Sequence, residues 1–282
     1  MTTYRYRLVN VFAESPLAGN PLCVFEDARG LDDATMQALA LQFNLSETAF
    51  VLPAESPAAT ARVRIFTPTF EMPFAGHPTL GTAHVVRDLL RPGDAVALDM
   101  KAGLIPVRAQ GDVWTLEANA PKSHAPDLTR RQLADMLGLE EADVSDGALW
   151  VDTGSEQLIV PLASTAAVER CHPSADLLSR YSRGAKRQGL AYAWARQSAT
   201  ATTVRFFFSK LGGVVEDPGT GSACANLGGW FIAQGAPLPV SLSISQGDQV
   251  GRPCRIGLRV DSDKRIFVSG RVIELGRGEI SL

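Results

Sequence analysis

The sequence has no basic excess, no closely spaced cysteine pair, no unbroken apolar run and no complete nucleophile or phosphate signature. Each absence removes a class of function. Lysine and arginine number 27 against 30 aspartates and glutamates, a net charge of −3. Nucleic-acid binding through phosphates needs a clustered positive excess, so no nucleic-acid partner is expected. The four cysteines, Cys23, Cys171, Cys224 and Cys254, lie far apart and form no CxxC pair. That argues against a disulfide framework or a zinc ribbon, and reduced, core-filling thiols of a cytoplasmic protein are expected. Residues 1–7 run straight into the strand-like Leu8-Val9-Asn10-Val11-Phe12, which does not read as a secretory signal. The uncharged stretch Pro218 to Gly247 is broken too often by Gly, Pro, Ser, Asn and Gln to span a bilayer, which takes about 20 apolar residues. No membrane partner is expected.

The chemical signatures fail in similar ways. Gly76 to Gly81 has P-loop spacing, but Thr82 stands where the lysine belongs. Gly219-Thr220-Gly221 begins a dinucleotide fingerprint, yet Cys224 occupies the third glycine position and Glu216-Asp217 precede it. His77 and His84 would sit about 10 Å apart along one helix, too far to share a zinc easily. His124 and His172 lie in polar loops and read as surface residues, so no metal site is expected. No G-x-S-x-G elbow occurs.

What is present is one device used twice. Phe74-Ala75-Gly76-His77-Pro78-Thr79-Leu80-Gly81 and Asp217-Pro218-Gly219-Thr220-Gly221-Ser222-Ala223 each lead glycines into a small-residue helix. A glycine-rich turn at a helix start exposes N–H groups that no helical carbonyl reaches, and the helix dipole favours a carboxylate or phosphate there. Two such turns about 140 residues apart suggest two similar halves facing a cleft. A composition of 45% hydrophobic and 20% charged residues over 282 positions supports a substantial core.

Periodicity predicts strands over 4–12, 22–25, 48–52, 61–66, 95–99, 104–109 and 113–118. Helices are predicted from Asp32 or Asp33 to Asn44, and over 78–90 with Pro78 at the first position. Residues 118–126 read as a linker. Beyond it come a helix to Met136, strands at 149–152 and 156–161, and a helix at 174–180. Strands at 189–195 and 201–208 precede a helix over 222–234, and strands at 239–245, 254–260 and 265–274 close the chain. Many short strands around few helices indicate α+β rather than a doubly wound sheet.

Acid–base chemistry survives the eliminations. Glu47 is the one charge between Asp33 and Glu55, at a helix-to-strand corner. Apolar neighbours would raise its pKa and poise it for proton transfer, unless it is simply an exposed loop glutamate. His77 could share the proton or orient a substrate. Asp217 reads either as a second acid–base group or as a helix cap, and Ser222 as a cap or a substrate contact.

The ordered set of motifs resembles the PhzF family, the phenazine-biosynthesis isomerases and their relatives. The likeness is carried by Gly19-Asn20-Pro21, Asn44-Leu45-Ser46-Glu47, Arg64-Ile65-Phe66-Thr67-Pro68 and Pro73-Phe74-Ala75-Gly76-His77-Pro78. It continues through Leu80-Gly81-Thr82-Ala83, Gly213-Val214-Val215-Glu216-Asp217, Thr220-Gly221-Ser222-Ala223, Gln246-Gly247, Gly251-Arg252-Pro253 and Gly276-Arg277-Gly278. The resemblance implies a diaminopimelate epimerase-like α+β fold, two similar domains (1–120 and 121–282, the last strand free to pack back on the first). Each would be a curved sheet around a central helix, with the active site between them. It implies a cofactor-free isomerase, usually a homodimer, acting on a small carboxylate-bearing substrate. Glu47 corresponds to the catalytic acid/base. Ser46, His77, Asp217 and Ser222 correspond to polar groups around the substrate, and amides near Gly76 and Gly221 to the holders of its carboxylate. The epimerases of this fold carry a cysteine in each glycine-rich turn. Here Ala75 and Asp217 stand in those turns and Cys224 lies deeper, which favours a carboxyl proton shuttle over two-thiol racemisation. Cys254 departs from the serine common after Arg-Pro. Epimerisation between Glu47 and Asp217, and ligand binding without turnover, are the rival readings.

Overall fold

The computed structural model describes residues 1–182, 189–210 and 212–282. It contains two units, Met1–Glu117 with Ser269–Leu282, and Ala118–Val268.

The first unit contains β1 (Thr3–Val11), β2 (Asn20–Phe25), β3 (Thr48–Leu52), β4 (Ala61–Phe66), β5 (Glu71–Met72), β6 (Ala95–Met100), β7 (Gly103–Gln110) and β8 (Val113–Glu117), and ends with the latter part of β17 (Ile266–Ser281). Alternation makes these strands: in β4, Ala61, Val63 and Ile65 are buried while Arg62 and Arg64 are only half-buried. β1 pairs antiparallel with β2 on one edge and with β17 on the other, Thr3 opposite Ser281. β2 runs parallel to β3, and β4 to β6. The β3–β4, β6–β7 and β7–β8 pairs are antiparallel, and β8 returns to β17, which closes the sheet into a barrel.

Parallel neighbours need crossovers, and the two helices supply them. α1 (Asp33–Phe43) starts at Asp32, whose side chain accepts from the Thr35 amide, and stops at Asn44 in the left-handed conformation. α2 (Gly76–Leu90) is buried continuously from Gly76 to Ala83 and again at Val85 and Val86, and it touches strands around the barrel. Gly81 lets it come that close: a Cβ there would lie 2.7 Å from Leu22 Cδ2 and 2.9 Å from Val11 Cγ2. The helix begins two residues earlier than predicted, so Pro78 occupies its third position. That is tolerated because first-turn amides have no intrahelical acceptor to lose.

The C-terminal end of α2 is tied to the barrel by ions. Buried Arg7 of β1 donates to Glu26 at 2.6 Å, to Asp88 of α2 at 2.6 Å and to Glu274 of β17 at 2.9 Å. Removing the guanidinium would leave three carboxylates crowded together, Asp88 and Glu274 with Arg277 as their remaining cation.

The second unit contains β9 (Lys122–His124), β10 (Leu149–Asp152), β11 (Glu156–Pro161), β12 (Leu190–Arg196), β13 (Ala201–Lys210), β14 (Gly213–Asp217), β15 (Val240–Gln246) and β16 (Cys254–Val260). Antiparallel pairing links β9 to β10, β10 to β11, β12 to β13, β13 to β14 and β15 to β16, while β11–β12 and β13–β15 are parallel. α3 (Arg130–Leu137), α4 (Thr165–Arg170) and α5 (Ala175–Tyr181) cover one side of this sheet and share a core with it, Leu133, Met136, Val168 and Leu178 meeting Leu158, Val160 and Phe207. α6 (Gly221–Ala233) is buried along most of its length against β9, β10, β11 and β16. Gly228 serves there as Gly81 does in α2, with Ile266 Cγ2 2.8 Å from the position of a Cβ.

Three sequence expectations are corrected. The stretch read as a linker contains β9, which pairs with β10 through His124 and Trp150. α4 is missing from the reading because its six residues are too short to show a 3.6-residue period. The last strand continues to Ser281 because β1 offers it a backbone partner throughout, regardless of Gly276 and Gly278.

Arg7→Ala is expected to lower unfolding stability by about 2–3 kcal/mol, read as a reduced urea midpoint with little change in slope.

Candidate active site

The first cluster lies where two crossovers of the first unit come together. α1 ends at Asn44, and the three residues that follow deliver Glu47 to the start of β3. α2 starts at Gly76, with Ala75 as N-cap in extended conformation and no side-chain cap. His77 therefore lies in the first turn, with its ring buried. Glu47 Oε2 approaches His77 Nε2 to 3.5 Å, and the two side chains keep only 16% and 7% of their exposure. On its other side His77 Nδ1 is 3.4 Å from Nδ2 of fully buried Asn20, and the ring also bonds the Pro21 backbone.

Burial pushes the His77 pKa down to about 3, against a smaller upward pull from that backbone bond. At neutral pH the imidazole is therefore neutral, and its contact with Glu47 is a close approach of two largely buried groups rather than an ion pair. A neutral imidazole has one donating and one accepting nitrogen. Pro21 has no N–H, so its backbone can only accept, and the ring commits its one proton to that carbonyl. The nitrogen that faces Glu47 is thereby left as an acceptor, which suits the carboxylic-acid form of Glu47.

The second cluster lies at the corner between β14 and α6. Arg205 of β13 holds this hairpin. Its guanidinium forks onto Glu216 through Nε at 3.1 Å and Nη2 at 2.6 Å, and Nη1 donates to the Cys171 carbonyl at 2.7 Å beyond α4. Asp217 follows Glu216 and is half-buried, with its Oδ2 accepting from the Thr220 hydroxyl. Thr220, not Ser222, is the N-cap of α6, and its side chain caps nothing. Ser222 is inside the first turn, where its Oγ accepts from Gln157 Nε2 at 3.0 Å. Gln157 is steered in turn by Asn226 of α6, whose Nδ2 donates to Gln157 Oε1 at 2.7 Å and to the Ser155 carbonyl at 2.7 Å. Asn226 Oδ1 accepts from the amide and hydroxyl of Thr153. This chain leaves the Ser222 proton available for an acceptor.

The sequence-predicted residues thus fall into two groups. Glu47, Gly76 and His77 are gathered in the first unit, and Asp217, Gly221 and Ser222 in the second. Ser46 is exposed beside Glu47. Asn20, Gln157, Thr220, Asn226 and Gln246 were not singled out as site residues. One local signal existed: Val240, Leu242 and Ile244 are the inward face of β15, and Gln246 continues that alternation as a buried polar residue. Two of the other three histidines have structural surroundings, His84 packed edge-on to Trp114 and His124 beside Glu156.

All four cysteines are buried. Burial pushes the thiols of Cys23, Cys224 and Cys254 well up, and that of Cys171 up to about 12. Cys224, inside α6, is held as an inert thiol, which removes it as a base for two-thiol chemistry. Ellman's reagent is expected to find no reactive thiol in the native protein and four after denaturation.

The low His77 pKa also fixes an acid response. The unfolded chain takes up this proton near 6.5 and the folded chain only near 3. Between those values the unfolded state binds more protons, so stability falls as pH falls through the window and is unaffected above it. His77→Gln is expected to flatten the wild-type loss of stability between pH 6.5 and 4, measured by urea unfolding at each pH.

The model of the phenazine biosynthesis-like protein family matches residues 9–277. An uncharacterized isomerase of Pasteurella multocida is 41% identical, with 99% of this chain and 95% of that protein covered. The trans-2,3-dihydro-3-hydroxyanthranilate isomerase of Pseudomonas chlororaphis is 34% identical, covering 99% and 100%. The crystal structure of a PhzF-family phenazine biosynthesis protein from Bacillus anthracis superposes with a TM-score of 0.88 at 25% identity, over 100% of both chains. The α+β fold, with a curved sheet around a central helix in each unit, is the one the resemblance implied, and the chain belongs to the phenazine biosynthesis-like, or PhzF, family.

Proposed function

We propose that this protein is an isomerase that moves a proton between carbon atoms of a small cyclic amino acid without a cofactor. The favoured substrate is trans-2,3-dihydro-3-hydroxyanthranilate or a close relative, the compound named for the Pseudomonas chlororaphis protein that is 34% identical to this chain. The observation that carries the reading is Glu47, mostly withdrawn from water and 3.5 Å from a histidine that burial keeps neutral.

In this reading the Glu47 carboxylate accepts a proton from one ring carbon as the conjugated double bonds move. The resulting carboxylic acid returns a proton to another ring carbon. Nothing is gained or lost overall, and the enol-type product relaxes to an aminoketone. His77 contributes no positive charge that would hold Glu47 permanently ionised. Ser46, Gly76, His77, Asp217, Gly221 and Ser222 are the proposed substrate-binding residues. First-turn amides of α2 and α6 suit a carboxylate, and a Ser222 hydroxyl whose oxygen already accepts from Gln157 suits an acceptor.

Epimerisation of an amino acid between Glu47 and Asp217 is the rival enzyme reading. It requires inversion at one carbon, which chiral analysis of the recovered substrate detects. A positioned general acid–base is typically worth about 10²–10⁴-fold in rate. Glu47→Gln is therefore expected to reduce turnover of the dihydro-hydroxyanthranilate by at least about 10²-fold, with an unchanged circular dichroism spectrum. Wild-type turnover by that variant would end the proposal.

A further inference from the structure

A hydrogen-bond chain behind Asp217 has its direction set by groups that cannot reverse. Gln246 ends β15 and is buried. Its Oε1 accepts from the Thr220 backbone amide at 3.1 Å, and its Nε2 donates to the Asp217 backbone carbonyl at 2.8 Å and to Thr220 Oγ1 at 2.9 Å. A backbone N–H only donates and a backbone C=O only accepts. These two partners therefore allow one orientation of the Gln246 amide. Nε2 must donate to Thr220 Oγ1, so the Thr220 hydroxyl has its own proton left to give. It gives it to Asp217 Oδ2, in a short contact.

We propose that Gln246 is a positioning residue for the reaction: through the Thr220 hydroxyl it holds Asp217 as a carboxylate that receives protons and does not donate from Oδ2. This deepens the function proposed above and rests on Asp217 taking part in it. It assigns unlike roles to the two acidic residues, with Glu47 able to change protonation state and Asp217 kept ionised and oriented. A symmetric exchange, in which each carboxyl alternately donates and accepts, is disfavoured by this arrangement.

Other charged and titratable groups surround this corner. Glu216, the preceding residue, is paired with Arg205. Cys254 of β16 feels Asp217, Arg252, Arg255 and Asp248, and its thiol stays protonated. Arg255 is itself bidentate with Asp248, at 2.9 and 3.0 Å. The directed hydroxyl is the device whose removal leaves these charges in place.

The test compares Thr220→Val, Thr220→Ser and Gln246→Met with wild type, in the full chain. The ionisation of Asp217 is followed by its carboxyl carbon-13 shift against pH, and kcat and KM are measured with the dihydro-hydroxyanthranilate. A hydrogen bond to a charged group is strong enough to move such a midpoint by about one unit. Thr220→Val and Gln246→Met are expected to raise the Asp217 midpoint by about that much and to lower kcat about tenfold. Thr220→Ser, which keeps the hydroxyl, should restore both. An Asp217 midpoint unchanged in Thr220→Val overturns the proposal, as does a Thr220→Ser midpoint displaced as far as that of Thr220→Val. Should Gln246→Met fail to fold, the two Thr220 variants decide alone. A displaced midpoint with unchanged kcat supports the hydrogen-bond direction and overturns the use of Asp217 in the reaction. Loss of activity in Glu47→Gln is read separately and is untouched by either result.

Discussion

A helix buried on almost every face is the constraint from which the rest follows. α2 is buried at every one of its first ten positions except His84, which is half-buried. Such a helix needs partners all round, and the curved sheet of the first unit supplies them. It also needs small residues where strands press closest, as Gly81 does beneath Leu22 and Val11. α6 obeys the same rule in the second unit with Gly228 and a run of Ala, Cys and Gly. Because the middle of each helix is filled by packing, the N-terminal turn is where its polar groups remain for chemistry. The first turn of α2 contributes His77, and that of α6 contributes Ser222.

Burial of polar groups then does two different things. Around His77 it removes charge: desolvation outweighs the available hydrogen bonding and the ring stays neutral. Around Gln157, Asn226 and Gln246 it removes ambiguity. The amides of Asn226 and Gln246 are fixed by backbone groups of set polarity, and that of Gln157 by Asn226, so the following hydroxyls have an assigned direction. Unpaired, these buried amides would cost about 1–3 kcal/mol each. Paired as they are, they orient Thr220 and Ser222 at modest net cost and leave little freedom at the corner.

The cysteines show how position overrides residue type. A thiol near a helix N-terminus can be activated when exposed to the dipole and to cations. Cys224 lies only a few residues into α6, yet it is fully buried and its ionisation is suppressed. What the α6 entrance leaves partly open is the side chain of Asp217 and the hydroxyl of Ser222, both half-buried.

Much of the architecture was legible in the chain itself. The bounds of β3, β4, β11 and β16 follow from alternation or from short apolar runs between turn residues, and α1 from Asp32 and Asn44, because those signals act within a few residues. Glycine turns before small-residue helices singled out His77, Asp217 and Ser222 as candidates, and an isolated charge at a helix-to-strand corner singled out Glu47, with family likeness in support. Other features depended on partners distant in sequence. β9 is a strand because β10 lies beside it, and the end of β17 because β1 does. Asn20 meets His77 across 57 residues, Gln157 meets Ser222 across 65, and Thr220 meets Gln246 across 26. Sequence alone determined which residues could carry charge and which turns could expose amides, since these are properties of residue type and short-range geometry. Tertiary structure decided which imidazole is neutral and which hydroxyl points where, since desolvation and hydrogen-bond direction exist only once distant segments enclose a group.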